Sequence, residues 1–130
     1  MKSITRAWVA VGMLVGAAGL LPAQEAEISV EAAIATDVVD RMPVDTGSTF
    51  SADVGQLWCW TRVSGAEGTV IQHVWMHGPH ENAIELPTIG GSPWRTWSNK
   101  SIPPDWTGEW RVEIRDEDGN VVETVRFTVG

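Results

Sequence analysis

The stretch GEWRVEIRDEDGNVVETVRFTV, residues 108–129, leaves this chain little choice of fold. Trp110, Val112 and Ile114 alternate with Glu109, Arg111, Glu113 and Arg115. An extended backbone sorts these onto two faces, one apolar and one of alternating charge, whereas a helix would scatter them round its circumference. Val125, Phe127 and Val129 alternate in the same way with Thr124, Arg126 and Thr128. The intervening DEDGN offers Asp118-Gly119 or Gly119-Asn120 for the positive φ angles of a tight hairpin. The two apolar rows should therefore meet on one core face. Glu123 interrupts the second row beside the turn, where solvent or a β-bulge would accommodate it.

The rest of the chain continues the pattern. LWCWTRV (57–63), TVIQHVWMH (69–77) and NAIELPTI (82–89) are rich in β-branched and aromatic residues, and SGAEG, GPHE, GGSP and IPPDWTG punctuate the gaps with glycine and proline. Upstream, Ala33–Val39 reads as a first strand with helix as the competing reading, and Met42-Pro43 and Asp45-Thr46-Gly47 end either element. Short strands at close intervals, without a long helical period, predict an all-β fold: a single antiparallel, immunoglobulin-like β-sandwich of about seven strands.

Lys2 and Arg6 precede an apolar run from Ala7 to Leu21, then Pro22, Ala23 and the polar Gln24-Glu25, the order of a secretory signal peptide. Its fifteen apolar positions fall short of the roughly 20 that span a bilayer. The expected organisation is a signal peptide at 1–23, a linker at 24–31 and the β-sandwich at 32–130, exported to the periplasm or beyond. An uncleaved leader would tether it to the membrane. Without the leader, seven basic residues face 17 acidic ones, a balance that repels phosphate backbones and argues against nucleic-acid binding. Cys59, the single cysteine, has no partner for an intramolecular disulfide and reads as a small buried thiol.

The segments LWCWTRVSG, VIQHVWMHG, WRTWSNKSIPPDWTGEWRVEIRDEDGN and FTV resemble, over roughly residues 40–130, a family of small bacterial envelope domains known as a domain of unknown function. The resemblance implies an immunoglobulin-like sandwich and export. It carries no activity and no site residues.

Motifs for chemistry are few. His73 and His77 would stand about 13 Å apart along a strand, too far to share one ion, while a turn at Gly78-Pro79 would bring His77 and His80 together without a third ligand. DEDGN lacks the downstream glutamate of a calcium loop. No nucleophile elbow, phosphate-cradling loop or cofactor motif is present, so neither an enzyme nor a cofactor is expected.

The tryptophans remain. On 57–63, Leu57, Cys59 and Val63 share one face with Thr61, which places Trp58, Trp60 and Arg62 on the other. On 69–77 the face of Ile71, His73, Trp75 and His77 is the less core-like, although immunoglobulin-type cores also place a tryptophan on this strand. On WRTWSNK, Arg95, Trp97 and Asn99 oppose Trp94, Thr96 and Ser98, and Trp97 is the candidate for exposure. Trp94 and Trp110 are expected inside, with Trp106 capping one end after Pro103-Pro104. The candidate binding residues are thus Trp97, Arg95, Asn99, Trp75, His73, Trp58, Trp60 and Arg62. A Trp/Arg patch of this kind suits a glycan or a protein partner of the cell envelope. The alternative is a structural spacer with every indole packed.

Overall fold

The computed structural model describes residues 27–130, so the leader read at 1–23 and the first linker residues lie outside the described residues. Among the described residues there are ten strands and no helix. They are β1 (Ser29–Ala35), β2 (Asp37–Val39), β3 (Met42–Val44), β4 (Thr49–Phe50), β5 (Gln56–Ser64), β6 (Gln72–His77), β7 (His80–Glu85), β8 (Trp94–Ser101), β9 (Gly108–Arg115) and β10 (Val121–Val129). An antiparallel three-stranded sheet has the order β1-β5-β8, and a five-stranded sheet has the order β4-β10-β9-β6-β7. Within the larger sheet β4 runs parallel to β10, and β2 and β3 make a separate ribbon. Strand β1 starts at Ser29, paired with Ser64, inside the stretch read as linker.

The C-terminal hairpin forms in the expected register, Phe127 opposite Trp110 and Val125 opposite Val112. The break at Glu123 is a register shift between Val121 and Glu123, which turns Val122 against the core and leaves Glu123 exposed. Gly119 alone in the turn takes a positive φ, 87°. The Asp116 carboxylate accepts the backbone N–H groups of Asp118 and Asn120 at 3.0 and 2.9 Å, so its charge caps its own loop.

The two large sheets close over one apolar core. Ile34, Leu57, Cys59 and Val63 of the smaller sheet pack with Trp75, Trp110, Val112, Ile114 and Phe127 of the larger. Phe127 is the hub of the aromatic cluster: Trp110 stacks on it at 5.8 Å, and Phe50 and Trp75 meet it edge-on at 6.0 and 6.1 Å. Cys59 is fully buried here, and burial pushes its thiol pKa up.

One face assignment is corrected. Strand β6 turns His73 and Trp75 inward, and both are buried, at 0% and 1% exposure. The outward reading of these two side chains does not hold. Val74, on the opposite face, is buried too, so the strand is covered on both sides at its centre.

Candidate functional site

His73 stays in the core because the facing sheet meets every polar atom of its ring. The Thr61 hydroxyl donates to the Thr96 carbonyl at 2.7 Å, so its oxygen is left to accept from His73 Nε2 at 3.3 Å. On the other side, Trp75 Nε1 donates to Ser98 Oγ at 3.0 Å, and Ser98 Oγ stands 2.7 Å from His73 Nδ1. The directions assign one tautomer, with the proton on Nε2 and a lone pair on Nδ1 that receives the serine proton. From indole to carbonyl, each proton has one acceptor. A second proton on His73 would displace the serine proton with nowhere to send it, and burial lowers the His73 pKa to about 3.

The outer face of the three-stranded sheet carries the other candidates. Its rows run Glu31, Arg62, Arg95; Ala33, Trp60, Trp97; and Ala35, Trp58, Asn99 across β1, β5 and β8. The β2–β3 ribbon lies over part of this face. Its turn residues Asp40 and Arg41 both have positive φ, 52° and 65°. Trp60 Nε1 donates to the Arg41 carbonyl at 3.0 Å, and Trp60 is 4% exposed. The Arg41 guanidinium lies 5.7 Å from the Trp94 ring and 5.8 Å from the Trp97 ring. Arg95 donates to Met42 Sδ at 3.2 Å.

Trp58, Trp97 and Arg95 are half-buried, and Arg62 and Asn99 are exposed. Arg62 has a loose ion pair with Glu31 at 3.7 Å, and Gln56 donates to the Asn99 side chain at 2.9 Å. The structure therefore brings Trp58, Trp97, Arg62, Arg95 and Asn99 together on one accessible face. Trp60 sits on that face beneath the ribbon, while His73 and Trp75 are inside the sandwich. No strand pairs with the far side of β8 among the described residues.

A second aromatic group, at one end of the sandwich, was only half legible. Gly78-Pro79 makes a two-residue turn that sets His77 opposite His80, with Gly78 at φ 55°. Both imidazoles stack on Trp106, His77 at 5.4 Å and His80 at 4.3 Å, and His77 also lies 4.7 Å from the Trp110 ring. The sequence signals were the Gly-Pro turn and the Pro-Pro-Asp-Trp run; their meeting at one place was not visible. Among the described residues no group of three or more His, Cys, Asp or Glu side chains is arranged to hold a metal ion.

The charged face of β9 is a half-buried ladder of ion pairs. Glu113 accepts from Arg115 at 2.6 Å and from Arg111 at 3.3 Å, and the Arg115 hydrogen bond leads in lowering the Glu113 pKa.

Residues 68–129 match a family model described as a protein of unknown function (DUF2914). The match begins after β5 and covers β6 to β10, including the His73 relay donors on β6 and β8 and the Trp106 loop. Comparison with curated proteins gave no match.

Proposed function

We propose that the domain is a non-catalytic binding module of the cell envelope, and that the free edge of β8 takes an extended segment of a protein partner as an added strand, with the outer face of β5 and β8 beside it. The observation that carries this reading is the position of β8. It is an eight-residue edge strand whose outward side chains are Arg95, Trp97 and Asn99. An edge strand leaves alternate N–H and C=O groups unpaired, and a partner strand supplies main-chain bonds while neighbouring side chains give selectivity. Half-buried Trp58 and Trp97 offer apolar area, and Arg62 and Arg95 offer donors to an acidic segment.

A sugar is the weaker fit on this face. Trp60 is roofed and the Trp97 ring already carries the Arg41 guanidinium, so neither indole offers a sugar ring a free flat face as it stands. Cys59 and His73 are held neutral by burial, which supports a non-catalytic reading. The orders β1-β5-β8 and β4-β10-β9-β6-β7 support the immunoglobulin-like description of the sandwich. The spacer alternative draws on the burial of Trp60, Trp75 and Trp110.

Panning a random dodecapeptide library separates the two. A binding module selects extended peptides whose affinity falls roughly 30-fold with Trp97→Ala, the loss of one anchoring aromatic. A spacer selects none, and selected peptides indifferent to Trp97→Ala would refute the assignment of this face.

A further inference from the structure

We propose that the cleft at the Trp106 end of the sandwich is a separate site for a saccharide that carries a carboxylate. The cleft has a volume of about 260 Å³ and opens between the β6–β7 turn, the end of β8 and the loop before β9. It has the three parts that such a ligand needs: a fixed aromatic shelf, side chains that bond hydroxyls, and a cation that no carboxylate among the described residues pairs with.

The shelf is Trp106, and the chain holds it from several sides. Pro103-Pro104-Asp105-Trp106 is a turn closed by the Trp106 N–H to the Pro103 carbonyl at 3.0 Å, with Pro104 at the second position where its fixed φ suits the turn. Trp110 Nε1 donates to the Trp106 carbonyl at 2.9 Å. His77 Nε2 donates to the next carbonyl, Thr107, at 2.7 Å, and its ring stacks under the indole. Trp106 nevertheless remains half-buried and not enclosed. The indole is backed by His77 and His80, and the part of its ring that stays exposed presents apolar surface against which C–H groups of a pyranose pack, with little ordering cost on binding.

The polar groups fit the same class. His80, stacked at 4.3 Å on Trp106, and the Asn82 amide both line the cleft and supply donors and acceptors to ring hydroxyls. Lys100 Nζ lies 5.9 Å from the Trp106 ring. Among the described residues Lys100 joins no ion pair, in a chain with 17 acidic residues. Glu81, the cleft's own carboxylate, is instead drawn towards Arg115 at 3.5 Å. Lys100 is therefore the group that selects an acidic sugar over a neutral one. It projects from the opposite face of β8 to Trp97, so this site and the partner-binding face can fail independently.

The test is a glycan array bearing uronate-, sialate- and muramate-containing saccharides beside neutral ones, followed by titration calorimetry on the best acidic hit, its neutral counterpart and citrate. The expected result is retention of an acidic saccharide, with affinity lowered about 10-fold or more by Trp106→Ala and about 10-fold by Lys100→Gln. Trp106→Phe, which keeps a ring in place, should restore part of the loss, and Arg126→Gln, which removes a cation elsewhere, should change nothing. Retention of no acidic glycan, equal affinity for the neutral counterpart or for citrate, or an unchanged affinity in Lys100→Gln would overturn the proposal.

Discussion

Acid should begin to loosen this domain below about pH 6.5, and His73 is the reason. In the unfolded chain the imidazole takes a proton near its ordinary pKa of 6.5, while in the folded protein burial holds that value near 3. The native state binds no proton there between those limits, so stability is full above pH 6.5 and falls as pH drops towards 3. The slope approaches about 1.4 kcal/mol per pH unit, and between pH 7 and pH 5 the loss comes to about 2 kcal/mol. For a domain of this size that is a fall of roughly 10 °C in midpoint. Glu113 acts lower down. Its pKa is depressed, so its contribution is present above the ordinary carboxylate value and is lost only as pH falls below it. Urea unfolding of the wild type and of His73→Gln, followed by tryptophan fluorescence at pH 7, 6 and 5, isolates the histidine. The wild type should lose stability over this range and the variant should lose little of it. Parallel pH profiles for the two proteins would refute the reasoning.

Further outcomes follow from the same geometry. Ser98→Ala strands both the Trp75 indole N–H and the His73 Nδ1 lone pair, and should cost about 3 kcal/mol in denaturant unfolding, at one to three for each orphaned group. Cys59 should stay unreactive to a thiol reagent in the native state and react at the rate of unfolding, because its thiol is both buried and held protonated. Gly65→Ala should destabilise more than Gly119→Ala as judged by midpoint shifts. Both glycines have positive φ, but a Cβ at Gly65 would come within 2.6 Å of the Glu27 carbonyl, whereas Gly119 faces open space.

What the sequence made legible was local. The β9–β10 hairpin, its bulge and its turn follow from strict alternation and one glycine, and the two faces of β5 follow from Leu57, Cys59 and Val63. Strands β2, β3 and β4 have three, three and two residues, too few to carry a period. The β2–β3 turn uses Asp40-Arg41 in place of the usual Asn-Gly, so the ribbon that roofs Trp60 gave no signal. His73 misled for a different reason: an imidazole is buried only when partners are supplied, and Thr61 and Ser98, 12 and 25 residues away, reach it from the facing sheet. Separation along the chain also hid the Trp106 group, which joins the β6–β7 hairpin turn and a proline turn.

The central claim, that β8 is an edge for an added strand, has a direct test. Amide hydrogen exchange across residues 94–101 is followed with and without a library-selected peptide. New protection should appear at every second amide of β8, with β10 and β9 unchanged. Protection confined to other strands, or a bound peptide that leaves the β8 amides exchanging as before, would contradict it.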